Sequence, residues 1–229
     1  GGVSLPPYGG ADGGPGLNLG IHVGDDPEAV RKNRALLRAV LPSEPVWLNQ
    51  VHGADVVDAA TVSGVPDADA SWTDAAGKVC VIMTADCLPV LLCTADGKVV
   101  GAAHGGWRGL AAGVLQHTVK AMRTGSDAPV MAWLGPAIGP TVFEVGGEVR
   151  EAFVSQDPDM GRVFKPEAGV PGKFIADIYG IARIILNSLG IMSVYGGDRC
   201  TVTEADCFYS FRRDRGRTGR MATGIWLSA

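Results

Sequence analysis

The run VCVIMTADCLPVLLC, residues 79–93, decides how this chain is to be read. Apart from Thr84 and Asp86 it is entirely apolar, thiol or proline, so its two halves read as buried strands. Ala85-Asp86-Cys87 interrupts them. An ionised carboxylate in such surroundings is costly unless something pairs with it. The interruption is therefore either a break in the structure or a working site.

Reading outward, ADGK turns into a strand, KVVGAAH, which Gly105-Gly106 breaks. WRGLAAGVLQHTVKAMR then has helical periodicity through Leu110, Val114 and Ala121. Upstream, GLNLGIHVGDD reads as a short strand ending in an acidic turn. Asp25 or Asp26 caps a helix with Pro27 in its first turn and Val30, Leu37 and Leu41 on one face. PVWLNQVHG is expected as a strand ending at His52-Gly53, ADVVDA as another, and PDADASWTD as a polar loop. Downstream, PVMAWLGPAIGP is strand then turn, and EVREAFV and DIYGIARIILNSL are helices, the second stopped by Gly190. MSVYGG, FYSFRR and MATGIWL read as strands. Strands outnumber helices and short turns join neighbours, which predicts a single α+β domain over 1–229, its mixed sheets flanked by helices.

The bulk numbers agree. The 229 residues suffice for one substantial core, and 46% hydrophobic with 19% charged residues is a globular composition. A net charge of −4 gives no reason to expect nucleic acid as partner. Charges interrupt every apolar run before membrane-span length, so no membrane association is expected. Five cysteines, an odd number without framework spacing, favour a reduced, cytoplasmic setting. No secretory leader is seen. The chain opens at Gly1 without methionine, so residues upstream are left open.

Three predicted strand ends carry a possible metal ligand: His52, Cys87 and His104. Zinc takes imidazole and thiolate, and three protein ligands with one open position is the catalytic pattern. The same residues allow a cysteine hydrolase, with Cys87 as nucleophile, His104 as base and Asp86 or His52 orienting it. They also allow a packed thiol beside structural histidines, or a non-catalytic zinc-binding module.

NQVHG (49–53), ADA-x-x-T (68–73), TADCLPVLL (84–92), AAHGGWRGL (102–110), LGPAIGP (134–140) with FEVG (143–146), and the closing FYSFRRD, TGR and IWL together resemble a bacterial family. It is the laccase-domain, or multicopper polyphenol oxidase, family, and the motifs run in order over essentially the whole chain. Departures are small: the family usually has HAGWRG where residues 104–109 read HGGWRG, and often Tyr in place of Phe143. The resemblance implies one zinc on the residues matching His52, Cys87 and His104. It implies phosphorolysis of adenosine, inosine, guanosine and methylthioadenosine to base plus ribose 1-phosphate, and deamination of adenosine to inosine. Family members are also linked to copper-dependent phenol oxidation and to removal of misincorporated serine from peptidoglycan precursors, an amide hydrolysis. Four histidines cannot supply a multicopper centre, so copper is expected only adventitiously.

Under this reading Asp86, then Glu144, is the candidate proton carrier in deamination. Asp86 has an alternative role in orienting the turn or a ligand. Arg108, opening a helix just after His104, is the candidate for phosphate. Arg212, Arg213, Arg215, Arg217 and Arg220 form a cluster that could bind phosphate, with a solvated loop paired to Asp214 and Glu204 as the ordinary alternative. Within it Arg212 and Arg213, beside Phe211 and Tyr209, are the candidates for substrate contact. Gln50 shares a strand face with His52 and is the candidate reader of a base or sugar edge. Trp107 and Phe143 could stack on a purine, with core packing as the ordinary alternative. Ser4 and Asn18 read as turn formers. The preferred nucleoside and the oligomeric state, a monomer being compatible, are left open.

Overall fold

The computed structural model describes residues 1–228. In chain order the elements are α1 (Pro27–Arg38), β1 (Pro45–Val46), β2 (Val56–Asp58), β3 (Ala70–Thr73), β4 (Val79–Thr84), β5 (Leu88–Thr94), β6 (Val100–Gly105), α2 (Trp107–Ala111) and α3 (Val114–Met122). They continue with β7 (Val130–Leu134), β8 (Glu144–Gly146), α4 (Gly147–Val154), β9 (Phe164–Pro166), β10 (Lys173–Ala176), α5 (Ile178–Ser188), β11 (Val194–Gly196) and β12 (Met221–Trp226). This is the expected α+β class.

The two halves of the opening run do not form a hairpin. β4 lies between β1 and β12 in a three-stranded sheet, whereas β5 lies between β7 and β6 in a six-stranded sheet of order β11-β7-β5-β6-β3-β2. Ala85-Asp86-Cys87 carries the chain from one sheet to the other, with Asp86 at φ 85. All six β4 residues are buried because β12 pairs along it and β6 packs across it. In β5, Leu88, Val90 and Leu92 face α3 and α5, and Leu91 faces the smaller sheet. That alternation follows the two-residue period of a strand. The result is three layers: small sheet, large sheet, helices. A third sheet, β8-β10-β9, lies beside α4.

Asp26 is the cap of α1, its side chain accepting from the Glu28 N–H, with Pro27 in the first turn. Several local expectations are corrected. GLNLGIHVGDD forms turns and one isolated bridge, because its polar groups bond to side chains: Asn33 Nδ2 donates to the carbonyls of Gly16 and Asn18. Ser4 and Asn18 both bond Asp25 in this buried knot. PDADASWTD contains β3, since Ala70, Ser71 and Thr73 are buried against β6. The expected helix 107–123 is two helices, with Gly113 at φ 91 between them. Only Pro45–Val46 of PVWLNQVHG is strand, and FYSFRR is irregular chain over 208–210 running into a turn at 211–213. Leu41 falls beyond the end of α1.

Candidate metal centre and its cavity

His52 follows β1 in a loop, at φ 61. Such a conformation is unfavourable for a non-glycine residue and needs outside support. Asp69, fully buried just before β3, supplies it: the N–H groups of Val51, His52 and Gly53 donate to its carboxylate at 3.1, 3.0 and 2.7 Å. The same carboxylate lies 2.7 Å from His104 Nδ1. His104 is a buried β6 residue whose N–H also donates to the Asp69 carbonyl. One aspartate thus orients both histidines and leaves Nε2 of His104 for a ligand.

Cys87 completes the group at the sheet crossing. The candidate donor atoms of His52, Cys87 and His104 all lie within 4.8 Å of one another, with His52 Nε2 3.8 Å from Cys87 Sγ. The two imidazoles meet edge to face at 4.8 Å. Gly106 makes room for them, since a Cβ there would stand 2.9 Å from His52 Cδ2 and 3.3 Å from Cys87 Sγ. Burial pushes the Cys87 thiol up, but His104 and His52 outweigh it and bring it down to about 6. Burial likewise disfavours a charged His104, but the Cys87 sulfur and Asp69 outweigh it and raise it to about 9. A thiolate and two oriented imidazoles, one backed by a carboxylate, form a donor set that fits zinc or a similar divalent ion. Among the described residues no other group of three or more His, Cys, Asp or Glu is close enough to share a metal.

The three donors line a cavity of about 440 Å³. Arg108, Arg212, Phe143 and Trp107 also line it, as the sequence reading anticipated, together with His22, Phe211 and Arg220. Other anticipated residues are placed differently. Gln50 lines the cavity, but its carboxamide exchanges two 2.8 Å hydrogen bonds with the Met83 backbone, so it stands in for a strand partner of β4. Strand alternation with His52 does not apply, because residues 47–51 form no continuous strand. Asp86 accepts from Thr201 Oγ1 at 2.6 Å, Ser210 Oγ at 3.1 Å and the Arg212 N–H at 2.6 Å. Both its oxygens therefore hold the 200–213 loop in place. The Glu144 side chain turns toward Lys173 and is off the cavity lining. Arg213 is off it too, its guanidinium spent on Asp214 and the carbonyls of Thr201, Val202 and Phe208. Sequence reasoning assigned nothing to Asp69 or His22, and took Arg220 only as one member of a C-terminal arginine cluster able to bind phosphate. The signals were present for two of them, since Asp69 sits in ADA-x-x-T and Arg220 closes TGR.

The family described as multi-copper polyphenol oxidoreductase laccase matches residues 1–228. The chain belongs to this family. It is 52% identical to the purine nucleoside phosphorylase YfiH of Escherichia coli (strain K12), over 99% of this chain and 90% of that protein. A Pseudomonas aeruginosa purine nucleoside phosphorylase is also 52% identical, with the same coverage. Among solved structures, a Neisseria meningitidis protein superimposes with TM-score 0.90 at 50% identity, covering 100% of this chain and 91% of that one. YlmD of Geobacillus stearothermophilus gives 0.85 at 32%, covering 100% and 89%. No helix among the described residues of this family member is long and apolar enough to cross a membrane.

Proposed function

We propose that this chain is a zinc-dependent purine nucleoside enzyme of the cytoplasm. It phosphorolyses adenosine, inosine, guanosine or methylthioadenosine and also deaminates adenosine to inosine. The observation that carries the reading is that one cavity is lined at once by the His52-Cys87-His104 group, by Phe143 and Phe211, and by Arg108, Arg212 and Arg220. A nucleoside needs a stacking surface and its phosphate co-substrate needs cations. The names of the Escherichia coli and Pseudomonas aeruginosa relatives support the same reading.

In phosphorolysis a phosphate oxygen bonds to ribose C1′ and the C1′–N9 bond breaks. Its electron pair leaves with the purine, which takes up a proton. Here the arginines hold phosphate against the ribose and the phenylalanine rings stack on the base. His52, Cys87 and His104 hold zinc, which when bound supplies Lewis-acid polarisation. Asp86, with both oxygens engaged, keeps Arg212 at the cavity wall. Copper binds such donors tightly, but a single three-donor group is no multicopper cluster, so phenol oxidation would be adventitious. Five free cysteines suit a reducing compartment.

Asp69, His104 and Cys87 also form the acid–imidazole–thiol series of a cysteine hydrolase, whose substrate would be an amide in a cell-wall precursor. The second imidazole on the same sulfur favours the metal reading. The test is chromatography of adenosine incubated with zinc-loaded protein, with and without phosphate, beside Cys87→Ala. Adenine and ribose 1-phosphate are expected only with phosphate, inosine in both cases, and neither with Cys87→Ala. Untouched adenosine with folded, metal-replete protein would overturn the reading, and a seryl amide would be assayed next.

A further inference from the structure

Three arginines line the cavity, and among the described residues none of them has a carboxylate within salt-bridge distance. They differ in how firmly they are held. Arg108 is exposed and folds back over the ring of its neighbour Trp107 at 4.5 Å. Arg212 is exposed as well, but its N–H is pinned to Asp86 and its Nη1 donates to the Glu144 carbonyl at 3.1 Å. Arg220 is half-buried and the most constrained. Its backbone N–H donates to Asn18 Oδ1 at 2.9 Å, and its Nη1 donates to the carbonyls of Thr218 and Gly219. Its stem packs so closely on Gly20 that a Cβ there would stand 2.8 Å from Arg220 Cγ, and its guanidinium lies over Phe211.

That anchoring uses Nη1 alone. Among the described residues Nε and Nη2 of Arg220 have no hydrogen-bond partner. These two form the edge of a guanidinium that takes an oxyanion bidentately. Asp86, close enough for its charge to act on Arg220, does not occupy that edge, since its oxygens are filled by Thr201, Ser210 and the Arg212 N–H. His22 lines the same wall without adding a carboxylate. A half-buried cation, held in place and left one free fork in a cavity, is arranged for an incoming anion.

We propose that Arg220, with Arg212 on the same cavity lining, is the subsite for inorganic phosphate, and that the exposed Arg108 is secondary. This rests on the phosphorylase reading above. It places the co-substrate on residues from the C-terminal loop rather than on the helix that follows His104.

The test compares wild type with Arg220→Gln, Arg220→Lys, Arg212→Gln and Arg217→Gln, the last removing an arginine off the cavity lining. Phosphorolysis is measured against phosphate and nucleoside concentration separately, and inorganic phosphate binding is measured by calorimetry. Arg220→Gln is expected to raise the KM for phosphate at least tenfold with the nucleoside KM within twofold. Arg220→Lys is expected to be intermediate, Arg212→Gln severalfold worse than wild type, and Arg217→Gln unchanged. A phosphate KM within twofold of wild type in Arg220→Gln overturns the assignment. If Arg220→Gln does not fold, Arg220→Lys and Arg212→Gln decide by the same criterion. Should wild type release no base with phosphate, the functional reading fails, and calorimetry alone judges the subsite. Saturable phosphate binding that Arg220→Gln or Arg220→Lys weakens upholds it, and no saturable binding overturns it.

Discussion

Asp69 does more per atom than any other residue of the site. Its two oxygens serve three successive N–H groups and the Nδ1 of His104, so they set a strained loop and an imidazole orientation together. In Asp69→Asn one oxygen becomes an amide NH₂ aimed at groups that are themselves donors. A buried mismatch of this kind costs about 3 kcal/mol, and loss of a partner behind a ligating histidine costs about 10–100-fold in metal affinity. Denaturant unfolding and competition with a chromophoric chelator measure the two effects. An unchanged metal affinity would show that the carboxylate supports the loop without tuning the ligand.

At the scale of elements, the site stands where β6 ends and α2 begins, facing the crossing from β4 to β5 and the loop after β1. Gly106 is the junction, and its missing side chain is the space that His52 and Cys87 occupy. Gly106→Ala can take the backbone conformation, at φ −66, so its effect is one of volume. Overpacking costs about 1–3 kcal/mol, partly offset by about 0.4–1 kcal/mol from the less flexible unfolded chain. The expected outcome is a small fall in melting temperature, an unchanged far-ultraviolet circular dichroism spectrum and at least tenfold weaker metal binding. Weakened folding with intact metal affinity would contradict this placement.

For the molecule as a whole, the metal group lies at one edge of a core that does not depend on it. β4 is buried by pairing with β1 and β12 and by packing against β6. β5 and β6 are buried by sheet pairing and by packing on the helix side with α3 and α5, with Leu88, Val90 and Leu92 fully enclosed. Removing metal with a chelator should therefore lower the melting temperature while leaving a cooperatively folded protein. A small domain organised by its metal would unfold instead. Thermal melts with and without chelator separate the two, and unfolding on chelation would favour the zinc-module alternative.

Local sequence determined what depends on neighbours along the chain. The apolar runs of β4 and β5, the Asp26-Pro27 cap of α1, the Gly190 stop after α5 and the α+β class were all readable from periodicity and turn chemistry. The donor types of His52, Cys87 and His104 were readable too, because few side chains bind a metal this way. Tertiary structure alone decided that β4 and β5 belong to different sheets and that PDADASWTD supplies a strand. It also decided that Asp86 holds a loop more than 100 residues away, that Asp69 supports both histidines, and that Arg220 rather than Arg213 reaches the cavity. The physical reason is one of range. Burial and capping imprint a short period on the sequence, whereas a hydrogen bond between residues 86 and 201 leaves none, and only the packed layers bring its two ends together.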